Sequence, residues 1–134
     1  MNPSLINWLA VVAAAASSFV LGGIWYSPAV FANAWMADSK LTQEELKQSS
    51  MARTFGCTAV FSLIMAANLA FFLATPTTTV AGGAAAGCLA GVWTFCAIAI
   101  HSLFELRSWR HIFINGIYSL LSLTLMGLIL GAWR

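Results

Sequence analysis

Few side chains in this chain can do chemistry, and their spacing narrows what they can do. The histidines are His101 and His111. His101 lies one helical turn before Glu105, so the two share a face on which they can hold a metal or pass a proton. An interfacial hydrogen-bonded pair is the simpler use of the same spacing. A haem held by two histidines would need both rings facing across a bundle at one depth, and no flanking pattern accompanies that here. Cys57, Cys88 and Cys96 form no Cys-x-x-Cys pair and all fall in apolar runs. They read as small buried thiols and not as a redox pair or a zinc site. No catalytic constellation is recognisable, so neither an enzyme nor a cofactor is expected.

The other candidates are neutral. Asn115 and Ser119 stand one turn apart with Tyr118 beside them, a polar seam in an otherwise apolar stretch. Each of these groups must find a hydrogen-bond partner if it lies in lipid. The seam falls at the depth of Trp25, Tyr26, His101, Glu105 and Arg107. Together Trp25, Tyr26, His101, Glu105, Arg107, Asn115 and Tyr118 make a candidate polar site for a small lipophilic or neutral ligand. The competing reading is an aromatic belt with nearby arginines, which any membrane protein displays.

Composition decides what must position these residues. The chain has 134 residues, 60% hydrophobic and 7% charged. Soluble domains carry about a quarter of their residues as charges. The shortfall excludes a soluble globular domain and a disordered segment. It also excludes a nucleic-acid binder, which needs a basic face. The charges cluster: Asp38, Lys40, Glu44, Glu45, Lys47 and Arg53 form one group, Glu105, Arg107 and Arg110 a second, and Arg134 ends the chain. A membrane-crossing helix needs about 20 apolar residues. The uncharged stretches supply four, near residues 5–26, 55–74, 80–104 and 112–133; Ala74-Thr75-Pro76-Thr77-Thr78-Thr79 separates the middle two. The expectation is all-α: one integral membrane domain over 1–134, a four-helix bundle with a helical loop over 27–54.

Lys40, Lys47, Arg53, Arg107 and Arg110 fall in the first and third loops, and only Arg134 on the other side. The positive-inside rule then puts the charged loops in the cytoplasm and both termini outside, across a bacterial inner membrane. Ala32-Asn33-Ala34 has the small-x-small form of a cleavage site. No Lys or Arg precedes the first apolar run, however, and Trp25-Tyr26 makes an interfacial anchor, so that segment is expected to be retained. In the loop, Val30, Phe31, Ala34 and Trp35 share a face of a short interfacial helix. Thr42-Gln43-Glu44-Glu45 is a capping box, starting a second helix at Gln43 that leads toward the second span.

Small residues recur every fourth position: Ala10, Ala14, Ser18 and Gly22; Ser62, Ala66, Ala70 and Ala74; Gly83, Gly87 and Gly91; Gly127 and Gly131. Such stripes let helices approach closely in lipid. One bundle can spend all four on its own packing; a surplus motivates an oligomeric scaffold or an accessory subunit of a larger membrane complex. The alternative is a binding or transport module for a small lipophilic or neutral ligand. No charge sits within a span, which excludes transporters that need an intramembrane acid or base.

Two stretches carry a family resemblance. The first is Asn7-Trp8-Leu9-Ala10, Gly22-Gly23-Ile24-Trp25-Tyr26-Ser27-Pro28, Phe31, Trp35-Met36 and Leu41-Thr42-Gln43-Glu44-Glu45-Leu46. The second is Phe104-Glu105-Leu106-Arg107-Ser108-Trp109, Ile114-Asn115-Gly116-Ile117-Tyr118 and Met126 to Trp133. With these the chain resembles the bacterial four-helix membrane family known only as a domain of unknown function, DUF1761. The resemblance supports the topology and implies no activity. It also implies that Trp25, Tyr26, Pro28, Trp35, Glu105, Arg107, Asn115 and Tyr118 belong to one recurrent feature. Members often have glycine after the Phe-Glu pair, where this chain has Leu106, so a departure is expected in that turn.

Overall fold

The computed structural model describes residues 1–134. After a short turn at Pro3–Leu5, six helices follow: α1 (Trp8–Trp25), α2 (Ala32–Ser39), α3 (Gln43–Gln48), α4 (Met51–Phe72), α5 (Val80–Phe104) and α6 (Trp109–Ala132). Helices α1, α4, α5 and α6 are long and apolar enough to cross a membrane. The chain is a four-helix membrane bundle with two short helices at one end.

Side-chain caps set most of the boundaries. Asn7 accepts from the amides of Leu9 and Ala10, so α1 begins at Trp8 and not at Leu5. Ser50 and Ser108 each accept from the amide three residues on, which starts α4 and α6 earlier than apolar content alone implies. The capping box at Thr42 and Glu45 forms as its sequence predicts. Helix α3 then stops: Ser49 is extended, and α4 restarts from its own cap instead of continuing α3. Helix α2 also begins later than expected, at Ala32. Val30 donates its amide to the Ser27 carbonyl in the preceding turn and is exposed.

The small-residue stripes govern packing. Helices α5 and α6 form a close antiparallel hairpin in which a Cβ on Gly83 would collide with the Gly127 carbonyl. One on Gly87 would collide with the Leu123 carbonyl. Across the bundle, Ala10, Ala14 and Ser18 of α1 and Ser62, Ala66 and Ala70 of α4 are buried, and Ser18 Oγ lies 3.3 Å from Ser62 Oγ. The main core joins α1, α4 and α6 through residues such as Val11, Leu69, Leu123, Met126 and Leu130. Helix α5 stands outside that core, packed on α6, with Leu89, Trp93, Ile100 and Phe104 facing outward. At the end away from α2 and α3, Arg134 donates to the carbonyls of Leu73 at 2.8 Å and Thr75 at 2.6 Å. Carbonyls at the α4 C-terminus, which no helical amide can reach, thus gain a cationic partner.

Candidate functional site

The polar seam is built where α1 ends against the first turns of α6. Trp25 donates its indole N–H to the Ile114 carbonyl at 2.9 Å. Tyr26 donates its hydroxyl to Asn115 Oδ1 at 2.6 Å, and Tyr118 donates to the Ser18 carbonyl at 2.8 Å. The two tyrosine rings meet edge to face with centroids 5.3 Å apart. Gly22 makes room for this, since the Tyr118 hydroxyl would lie 3.2 Å from a Cβ there. Four residues before Asn115, on the same face of α6, is His111. Its Nε2 lies 3.2 Å from Asn115 Nδ2, and its Nδ1 lies 3.5 Å from Ser39 Oγ.

Helix α2 is clamped over this junction. Arg110 donates to both carboxylate oxygens of Asp38 at 2.7 Å, and Arg107 reaches the Asp38 carbonyl at 3.4 Å. The Asp38 side chain is only 11% exposed although Arg110 is 58% exposed, so the pair closes on the α2 side. The paired guanidinium hydrogen bonds of Arg110 hold the Asp38 carboxyl below the usual carboxylate range. Aromatic contacts complete the clamp: Phe31 against Trp25 at 4.7 Å and Trp35 edge-on to Tyr26 at 5.8 Å.

Beneath α2 lies a cavity of about 760 Å³ bounded by α1, α2, α3, α4 and α6. Tyr26, Asn115 and Tyr118 form one polar wall. Phe19, Trp35, Met36, Leu46 and Phe55 supply apolar surface, and Gln43, Thr54 and Thr58 add neutral polar groups. None of the sixteen lining residues is charged at neutral pH. The α4 wall consists of exposed residues, Thr54, Phe55 and Thr58, so protein does not seal that side.

Of the seven residues singled out from sequence, Tyr26, Asn115 and Tyr118 line the cavity together. Trp25 stands behind them, bonded to α6. His101 and Glu105 are exposed on α5 and join no part of this cluster; Arg107 lies 3.9 Å from Glu105 and otherwise reaches toward α2. Residue spacing did not bring His111, Ser39 or the Asp38–Arg110 pair into this site, and Trp35 entered only through the family resemblance. The available signal was the run 111–115–118, which places His111, Asn115 and Tyr118 on one helical face.

The profile of the family described as "Protein of unknown function (DUF1761)" matches residues 9–131. The chain belongs to this family. No curated protein and no solved structure matches it. The matched stretch contains every residue of the cavity wall and both halves of the α2 clamp.

Leu106 adopts a left-handed conformation, φ 57°. Its amide donates to the Leu103 carbonyl at 3.1 Å, and that of Arg107 to the Ser102 carbonyl at 2.9 Å, which closes α5 with a Schellman turn. The departure expected here is therefore one of residue type at a position whose geometry favours glycine.

Proposed function

We propose that this protein is a non-catalytic membrane binding module whose cavity at the charged-loop end accommodates a small neutral amphiphile. One observation carries the reading: a cavity of about 760 Å³, of the size that holds small molecules, pairs an apolar wall with a few convergent hydroxyl and amide groups and no charge. An ionised ligand would sit there without a counter-charge, at a large desolvation cost. The titratable lining groups are two tyrosines, each already hydrogen-bonded within the chain, which supports binding over turnover. The unsealed α4 side supports entry from the bilayer.

The stripes that motivate an oligomeric scaffold or accessory subunit pack against one another inside the bundle, so they give no separate support to a second copy or a host complex. We also infer that the charged loops face the cytoplasm of a bacterial inner membrane, on the strength of the Lys/Arg bias.

Gly23 lines the cavity, and a Cβ there meets nothing within 4 Å. Gly23→Leu therefore projects a side chain into the space from a backbone position with room for a Cβ, and it replaces a glycine in the last turn of α1. Solvent extracts of the gently purified wild type should contain a bound neutral molecule, identifiable by mass spectrometry. The variant should lose it while its thermal midpoint holds or rises. Equal retention by the two proteins would end this reading.

A further inference from the structure

The direction of the hydrogen bonds around the cavity indicates what kind of ligand fits. Tyr26 gives its proton to Asn115 Oδ1 at 2.6 Å. That fixes the amide so that Nδ2 faces His111 Nε2 at 3.2 Å, and an amide nitrogen can only donate. Nε2 must then be the unprotonated ring nitrogen, which leaves the imidazole proton on Nδ1, directed at Ser39 Oγ 3.5 Å away. The Tyr26 proton, one amide hydrogen of Asn115 and the imidazole proton are thus committed within the chain. Bonds aligned in one sense polarise each other, so the Tyr26 oxygen at the head of the chain gains strength as an acceptor. Tyr118 is arranged in the same way, its proton committed to the Ser18 carbonyl at 2.8 Å. On the facing wall, Thr58 donates to the Thr54 carbonyl at 2.7 Å.

Three lining hydroxyls therefore offer lone pairs. At the tyrosine wall a ligand that only accepts, such as an ether or a ketone, faces oxygen against oxygen, and its donors must come from Trp35, Gln43 or Thr54 on the other walls. To be bonded at a tyrosine it must draw that proton away, leaving Asn115 Oδ1 without its donor or the Ser18 carbonyl without its second one. A ligand with its own hydroxyl donates to the tyrosine oxygens and leaves every existing bond in place. The apolar side of the cavity, Phe19, Trp35, Met36, Leu46 and Phe55, then takes its hydrocarbon. We infer that the cavity selects a neutral amphiphile bearing a free hydroxyl group, recognised by the Tyr26 and Tyr118 oxygens as acceptors. This rests on the reading of the cavity as a binding site.

The test uses the intact full-length chain in phosphatidylcholine nanodiscs, with tritiated dodecanol as the probe and empty nanodiscs as background. Unlabelled dodecanol, dodecyl methyl ether and dodecanoate serve as competitors. The expected result is saturable binding, blocked by Gly23→Leu, with dodecanol competing at least tenfold better than the ether or the carboxylate. Tyr118→Phe should reduce the alcohol-over-ether ratio to below threefold. Should that variant fail to fold, the wild-type ratio decides by itself. An ether that competes as well as the alcohol overturns the hydroxyl inference, while saturable binding sensitive to Gly23→Leu leaves the binding module standing. No saturable binding of the alcohol, with none of the competitors retained, overturns both.

Discussion

Leu106 holds a left-handed backbone with a side chain 92% exposed, so no packing compensates the conformation. A non-glycine residue there costs about 1–2 kcal/mol, and glycine returns about 0.5–1 of that through its freer unfolded chain. Leu106→Gly should therefore stabilise the protein by about 0.5–1 kcal/mol, read as a higher midpoint on thermal unfolding in detergent; a lower midpoint would show that the leucine side chain carries weight of its own. At this scale the sequence reveals polar residues in apolar helices and leaves their partners open. Asn115 and Tyr118 stand out because an amide and a phenol in lipid must be bonded. His101 attracted attention through its spacing from Glu105, yet it points outward while Ser102, the next residue, is buried on the face toward α6. Which side of α5 turns inward is a property of the contact, not of the pair.

Between elements, the glycine stripes decide how closely α5 and α6 approach. Gly87 faces the Leu123 backbone, which cannot rotate aside as a side chain can. Gly87→Ala should force the helices apart and cost about 1–3 kcal/mol, the range for overpacking. Gly56 is the control: a Cβ there meets nothing within 4 Å, so Gly56→Ala should gain up to about 1 kcal/mol from helix propensity. Unfolding midpoints of both variants in one detergent check the contrast, and equal shifts would refute the close-packed hairpin. The stripes themselves are plain in the sequence. Their partners are not, because a small-residue face suits a neighbouring helix and a second chain equally well.

Over the whole molecule, charge and apolar surface separate cleanly. The basic residues of both charged loops gather at one end, where Arg110 and Arg107 hold α2, and Arg134 alone caps the other. If the Lys/Arg bias sets orientation, alkaline phosphatase fused after Arg134 should be active in a bacterial host and a green fluorescent protein fused there should stay dark. A bright fluorescent fusion would reverse the proposed topology. The sequence by itself determined the number of spans, their approximate limits and the capping box at Thr42, because bilayer thickness and cap hydrogen bonds act over a few consecutive residues. The breaks at Ala32 and Ser49–Ser50 shifted edges without altering that plan. Only the tertiary structure decided that the stripes are spent inside the bundle, that α2 lies over the seam, and that a charge-free cavity opens below it. Those features depend on where α1 and α4 stand relative to α6 and on which way each hydroxyl proton points, and neither follows from the spacing of residues along one helix.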